Sequence, residues 1–387
     1  MTAPRPTRGF TLLELAVSLL LVAILVAGAV SLLSSQRRAL TTTSGDRAMQ
    51  ETVRTALDDL GANLRRAGFG IDPALAFDFT TYQCAAPVTC RDSIAGPDEI
   101  VFYARDPLFK ATISATPSAT QLTIAGGLQA PLYRGQILQI MCGAGSDVAY
   151  VTVGSKVAAN WTPPAAAPAS TAIPLLAATG AFPQQNAKLT SGCFSTGWSA
   201  ARVYRLDRFR YAVLPYADAD LNGVDRPYLM LDRGLLDDDG TSRIEPVVAD
   251  VEDLQLEYVF VNPTTGVARA VGGVSGTGLS NGAASIDLAA TPPTYDSARD
   301  DATRLTNSPA NIRAVRVSVI ARLPSQDLYR GRVGGNELVQ LVASQGPAMP
   351  AAGNRPIVAA PNNFARIKIQ TTEALRNMDV RAPFFDQ

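Results

Sequence analysis

The most constraining feature of this sequence is a long apolar run close to its start. From Leu15 to Gln36 no residue carries a charge. At about 1.5 Å per residue, a helix of that length can cross the roughly 30 Å hydrocarbon core of a bilayer. Arg5 and Arg8 precede the run, and basic residues favour the cytoplasmic side for the end that they flank. We therefore expect one membrane-spanning helix, with the rest of the chain on the far side of the membrane.

A single carboxylate, that of Glu14, lies just inside the apolar stretch. Ionisable groups within membrane segments are costly, and they usually have a function. An ordinary secretory signal has a shorter apolar core that is followed by a cleavage site with small residues. Here a polar leader ending in Gly9 comes before the apolar run, so that removal of the leader would leave the helix attached to the chain.

The segment from Arg8 to Glu14, RGFTLLE, resembles the signal of type IV prepilins. The resemblance implies cleavage between Gly9 and Phe10 by a prepilin peptidase, followed by N-methylation of the new Phe10 amine. In a bundle of such helices, the Glu14 carboxylate of one subunit can pair with the Phe10 amine of a neighbour. We hypothesise that Glu14 sets the axial register of assembly and has no catalytic role. The alternative is a plain single-pass anchor that carries one glutamate.

Composition excludes several classes of function. The formal net charge is zero, which gives no indication of a nucleic-acid partner. The chain contains no histidine, which removes Ser-His and Cys-His catalysis and histidine-based zinc sites. It also lacks a G-x-S-x-G elbow, a P-loop and a dinucleotide fingerprint. We therefore expect a protein that is not an enzyme and needs no organic cofactor.

The four cysteines all follow the apolar run, on the predicted extracytoplasmic side. An even number of cysteines in an oxidising compartment suggests two disulfides, and four cysteines allow three connectivities. We favour Cys84 with Cys90, which closes a small loop, and Cys142 with Cys193, which closes a long one. A metal site is the rival interpretation, but no CxxC spacing supports it.

The helix is expected to continue beyond the membrane segment, where a second apolar pattern follows. Apolar residues recur at steps of three and four, as in an amphipathic helix with one apolar stripe; they are Met49, Val53, Ala56, Leu57, Leu60, Leu64 and Ala67. The polar stretch Thr41–Gly45 is a weak helix former, and a new helix could begin at Ser44 or Asp46. Gly68 and Gly70 are typical of a helix C-terminus.

Downstream the apolar period changes to two, which indicates strands. The predicted strands are Ile100–Tyr103, Gln136–Ile140, Val148–Val151, Arg202–Leu214, Tyr228–Leu231, Leu254–Val261, Ile312–Leu323 and Phe364–Thr371. In the last two, Val315, Val317, Val319, Ala321, Leu323, Ile367 and Ile369 are expected to face inward, with Arg316, Ser318, Arg322, Arg366 and Lys368 outward. The predicted fold class is α+β, with an antiparallel sheet packed on the second half of the long helix.

The predicted organisation has five parts. They are a leader (1–9), a transmembrane helix (10–36), an amphipathic helix (37–69), an inserted β-rich lobe (70–200) and a β-sheet head (201–387). Three stretches of Ala, Pro, Gly, Ser, Thr or Asn are expected to be irregular insertions: 158–185, 262–296 and 345–363.

One loop suggests a calcium site. Asp218, Asp220 and Asn222 place oxygen donors at alternate positions before Gly223, as in the first half of an EF-hand loop. The bidentate glutamate at the twelfth position is missing, and Asp225 could replace it only with a different geometry. The alternative is a turn between two strands, which Asp, Asn and Gly form for backbone reasons. A second such segment, Asp237–Gly240, is expected to be a solvated turn.

Two segments of the head resemble PilW-type minor pilins: VVADVEDLQLEY (247–258) and RIKIQTTEALRNM (366–378). This resemblance implies a structural subunit of a pilus tip or initiation complex, anchored in the inner membrane with a periplasmic head before assembly and located on the cell surface afterwards. The implied partners are other minor pilins, the major pilin, the prepilin peptidase and a tip adhesin. The J-type minor pseudopilin of type II secretion is a close alternative, and a membrane-anchored binding protein is a more distant one.

Overall fold

The computed structural model describes residues 12–78, 96–142, 147–176, 189, 193–218, 224–261, 266, 268–271, 309–323, 364 and 366–378. The helices are α1 (Leu12–Leu64) and α2 (Cys193–Thr196). The strands are β1 (Ile100–Thr112), β2 (Gln121–Ala125), β3 (Ile137–Cys142), β4 (Asp147–Thr152), β5 (Ser170–Pro174), β6 (Arg202–Asp218), β7 (Val224–Leu236), β8 (Ser242–Ala249), β9 (Val251–Val261), β10 (Ala268–Val271), β11 (Ile312–Arg322) and β12 (Arg366–Ala374). One long helix and a head of antiparallel strands make an α+β fold, as predicted.

Helix α1 has two halves with opposite surroundings. From Leu12 to Leu40 its large apolar side chains are all exposed. From Met49 onward one stripe is buried, and it contains Met49, Val53, Ala56, Leu60 and Leu64, with Ala67 in the turn that follows. Leu57 is partly buried against the same core. The predicted amphipathic stripe is therefore confirmed.

The predicted continuation of one long helix into the head is confirmed, because α1 runs through this stretch without a break and no new helix begins at Ser44 or Asp46. The hydroxyls of Thr41 and Thr43 donate to the carbonyls of Arg37 and Ala39, at 2.9 and 2.8 Å, and the Ser44 hydroxyl donates to Thr41. Side chains that would otherwise compete with the helix are thus bonded back to its own carbonyls.

The C-terminal end of α1 is as expected from its glycines. After Leu64 the chain turns through Gly68 and Gly70, at φ values of 77° and 69°. This left-handed conformation costs glycine little, and it is common where a helix ends. The Gly68 amide donates to the carbonyl of Tyr103, which ties the turn to β1.

The larger sheet has six strands in the order β4-β3-β6-β7-β8, with β1 also paired to β6. All its pairings are antiparallel. Strand β6 is central, because its first part pairs with β3 and its second part with β7. The short segment Asp237–Gly240 connects β7 to β8 as a tight turn, with the Gly240 amide bonded to the Asp237 carbonyl at 2.9 Å.

The second sheet has four antiparallel strands in the order β10-β9-β11-β12. Helix α1 contacts its strands β11 and β12, and also β8 of the larger sheet. Leu254, Leu256, Tyr258 and Phe260 of β9 are buried in the main core together with the helix stripe. The helix therefore forms one wall of the core, with strands of both sheets opposite.

A smaller core lies beside the main one. It contains Leu122, Ile124, Leu138, Val151 and Ile173, among other residues between 113 and 203. Strands β2 and β5 form a two-stranded sheet here, and β3 and β4 extend the larger sheet into the same region. The larger sheet is continuous across residue 200, because β1 and β3 both pair with β6. The predicted domain limits themselves stay a prediction.

The predicted strands all fall on observed strands. The prediction of which side chains point outward from the second sheet is wrong in part. Val315, Val317, Val319 and Ala321 are buried as expected. However, the Arg366 side chain is only 2% exposed, because its guanidinium is bound by Glu252. Ser318, also expected outward, is 2% exposed. This sheet is thus covered on both faces at its centre.

Candidate functional site

The membrane half of α1 carries the predicted assembly carboxylate. Glu14 is exposed in the first described turn of the helix, among Leu12, Leu13 and Leu15. Among the described residues, α1 alone is long and apolar enough to cross a membrane, and the most apolar window of this helix is wholly exposed. Gly9 and Phe10, at the predicted cleavage position, lie outside the described residues.

Polar contacts fix the other half of α1 to the head. The Tyr211 hydroxyl of β6 donates to Asp59 at 2.6 Å and accepts from the Asn63 amide at 2.6 Å. Burial raises the pKa of Tyr211, and the hydrogen bond to Asp59 raises it further. Between these two helix residues, the Cβ of an alanine in place of Gly61 would lie 3.0 Å from a Glu373 oxygen of β12. The Glu373 side chain of β12 therefore lies close to the helix at a position where the helix has no side chain.

The predicted Cys142–Cys193 disulfide is present. It joins the end of β3 to the start of α2, across a sequence separation of 51 residues. Cys142 is buried in the smaller core, where Phe194 is also buried. Such a crosslink stabilises the fold mainly by restricting the unfolded chain. Cys84 and Cys90 lie outside the described residues.

The predicted calcium loop connects two neighbouring antiparallel strands. Asp218 is the last residue of β6 and Asp225 lies in β7, where it pairs with Ala217. Asp220 and Asn222 lie outside the described residues. In the parts of the chain that the structure describes, no group of three or more acidic or cysteine side chains could hold a metal ion. Calcium binding here stays a prediction.

A cluster of three arginines and two carboxylates was missed by the sequence reasoning. Arg226 binds both oxygens of Asp250, and Arg366 binds both oxygens of Glu252 at 2.5 and 2.9 Å. Arg322 lies beside them, with its Nε 3.9 Å from an Asp250 oxygen. The residues come from β7, β9, β11, β12 and the β8–β9 junction, so only the strand order brings them together. The sole sequence signal was that Arg322 and Arg366 lie on polar faces of predicted strands.

Similarity to known proteins is confined to the start of the chain. A family described as "Prokaryotic N-terminal methylation motif" matches residues 4–30. No curated protein and no solved structure matches the chain. The methylation motif and the exposed apolar helix together support a membrane-anchored, type IV prepilin-like protein of a pilus or secretion system. Proteins with this motif assemble with other pilin-like subunits and are substrates of a prepilin peptidase.

Proposed function

We propose that the chain is a minor subunit of a type IV pilus that joins a membrane-anchored initiation or tip complex. The observation that carries the proposal is the helix α1, which has an exposed apolar half with Glu14 and a second half with one apolar stripe buried against the head. An exposed apolar surface of this size needs lipid or other helices around it. The large head, with its second core between residues 113 and 203, would stack poorly in a uniform shaft, which favours a subunit of low abundance.

The assembly step follows from charge. In a bilayer or a bundle of apolar helices, the Glu14 carboxylate is costly unless a positive group is near. Cleavage after Gly9 would create such a group, the methylated amine of Phe10, four residues before Glu14 in the sequence. Pairing between the amine of one subunit and the carboxylate of the next would set the axial register. The proposed partners are other minor pilins, the major pilin, the prepilin peptidase and a tip adhesin, with the head periplasmic before assembly.

The test compares two glutamates on the same helix. Glu14→Ala should prevent incorporation into sheared surface fibres, because the register contact is lost. Glu51→Ala serves as the matched control, because Glu51 is exposed on the half of α1 that follows the membrane segment. Intact mass of the fibre protein should also show loss of residues 1–9 and the gain of one methyl group. Normal incorporation of the Glu14 variant, or a retained leader on assembled protein, would contradict the proposal.

A pseudopilin of a type II secretion system is the second candidate, because the methylation motif at residues 4–30 fits it equally well. The two assignments differ in the phenotype of a deletion strain. Loss of surface pili with normal protein secretion supports the pilus subunit, and the reverse result supports the pseudopilin.

A further inference from the structure

A shallow pocket of about 320 Å³, open to solvent, lies beside the arginine cluster. Its walls are partly apolar and partly charged; the lining residues are Val213, Leu214, Pro215, Asp225, Arg226, Pro227, Glu252 and Arg322. The pocket thus lies between the β6–β7 pair of the larger sheet and the β9–β11 pair of the second sheet. Its volume suits one amino-acid side chain or a small organic acid.

The charges beside this pocket do not balance. Arg226 binds both carboxylate oxygens of Asp250, and Arg366 binds both carboxylate oxygens of Glu252. Arg322 is the third guanidinium, and its closest carboxylate oxygen, in Asp250, is beyond hydrogen-bonding distance at 3.9 Å. Asp225, on the pocket wall, is exposed to solvent, which screens its charge. One positive charge is therefore left over in the buried part of the cluster.

Arg322 is held in place by contacts that leave its side-chain N–H groups without hydrogen bonds to the described residues. Its side chain is 17% exposed, and its Nε is buried with no hydrogen-bond partner. The face of the guanidinium stacks on the Phe364 ring, with the central carbon 4.3 Å from the ring centroid. Its backbone amide is bound by the carbonyl of Asp250 at 2.9 Å. Stacking leaves the edge of a guanidinium available for a planar partner.

The backbone of Asp250 is fixed beside Arg322 by contacts with two strands. Asp250 has a φ of 61°, the left-handed region that residues other than glycine seldom adopt. Its amide donates to the Pro227 carbonyl at 2.7 Å, and its side chain holds Arg226. The residue therefore joins β7 and β11 at the pocket. Aspartate tolerates this conformation better than most residues, and these two contacts fix it here.

We propose that this pocket binds a carboxylate group attached to a small apolar moiety, with Arg322 as its main partner. A carboxylate matches a guanidinium edge through two parallel hydrogen bonds. A phosphate dianion fits less well, because the cluster has one surplus positive charge and a dianion would leave one negative charge unbalanced beside it. The apolar walls of Val213, Pro215 and Pro227 would receive the aliphatic part of the ligand. Burial lowers the pKa of Arg322, and an anion at this position would oppose that effect.

The carboxylate can come from a free acid or from an acidic side chain of a partner polypeptide, and two probes separate these sources. Propionate represents the free acid, and N-acetylglutamate methylamide presents the side chain as a peptide does. Whichever probe binds more tightly identifies the source. The proposal does not depend on the assignment to a pilus.

The experiment is calorimetric titration of the full chain in detergent, at low ionic strength and without carboxylate or phosphate buffers. At least one carboxylate probe should bind, propionamide should not, and inorganic phosphate should bind more weakly. Arg322→Gln should weaken carboxylate binding by roughly tenfold or more, because a bidentate charged contact is lost. Arg316→Gln is the matched control on the same strand, since Arg316 binds Glu257 and does not line the pocket.

Thermal unfolding distinguishes a binding role from a structural one. Loss of the contact between Arg322 and the Phe364 ring is offset by removal of a surplus positive charge, so the melting temperature of the Arg322→Gln variant should lie close to that of the wild type. Unchanged carboxylate binding in this variant, equal or tighter binding of phosphate, or a clear fall in melting temperature would overturn the proposal.

Discussion

The two halves of α1 have the same backbone conformation and opposite relations to the head. Between Leu12 and Leu40 every large apolar side chain is exposed, whereas between Met49 and Leu64 one stripe is almost inaccessible to solvent. The first half is apolar all round between Leu15 and Leu33, and the second is apolar on one face only. A helix that is apolar all round is suited to lipid or to other helices, and an amphipathic one to the surface of a core. The sequence of each half therefore selects its environment within one continuous helix.

The largest contrast is expected between two leucine truncations. Leu60 is fully buried and Leu25 is 72% exposed. Leu60→Ala should lower the free energy of unfolding by about 2–5 kcal/mol, because it removes buried methyl groups and leaves a cavity. Leu25→Ala should change it little. Denaturant unfolding of the full chain in detergent, followed by tryptophan fluorescence, measures both, and equal losses would mean that the exposed half also packs on the head.

An intermediate effect is expected at the polar contact between helix and sheet. Tyr211→Phe removes the donor to Asp59 and the acceptor for Asn63, and should cost about 1–3 kcal/mol at neutral pH. The pKa of Tyr211 is raised in the folded state, so the unfolded tyrosine ionises first, near pH 10. The stability of the wild type should therefore fall as pH rises above about 10, and the difference from Tyr211→Phe should narrow. A constant difference between pH 8 and pH 11 would argue against this coupling.

The smallest difference in stability is expected between valine substitutions at two glycines. A Cβ at Gly28 would meet no atom within 4 Å, whereas one at Gly61 would lie 3.0 Å from Glu373. Gly61→Val should displace the Glu373 carboxylate from its 3.0 Å contact with Arg65, at a cost of about 1 kcal/mol. Gly28→Val should not destabilise the head. Urea midpoints of the two variants provide the measurement, and a larger loss for Gly28 would reverse the assignment of the two halves.

Local patterns predicted much of this fold. The helix stripe, the positions of the strands and the α+β class follow from periods of 3.6 and 2, which depend on nearby residues alone. A new cap at Ser44 or Asp46 stayed open as a possibility, because propensity does not include the bonds from Thr41 and Thr43 back to the helix. Strand pairing was not predicted. Only long-range contacts place β9 between β10 and β11 and pair β6 with three strands.

The assembly motif and the arginine cluster also differ in how far a local sequence pattern reveals them. Gly9, Phe10 and Glu14 are consecutive or nearly so, and a motif of that kind is readable directly from the sequence. Arg226, Arg322 and Arg366 are far apart, and each alone is an ordinary charged residue on a strand. Burial of Arg366 depends on Glu252, and the surplus charge of Arg322 depends on which acids its neighbours occupy. No pattern within one segment carries that information.

The unbroken course of α1 has a mechanical consequence. With Thr41, Thr43 and Ser44 all bonded to the helix and Gly45 inside it, the segment between the two halves contains no flexible joint. The 53 residues form a strut of about 80 Å. An axial displacement of the membrane end of α1 moves the head by the same distance. Rotation of that end likewise turns the head.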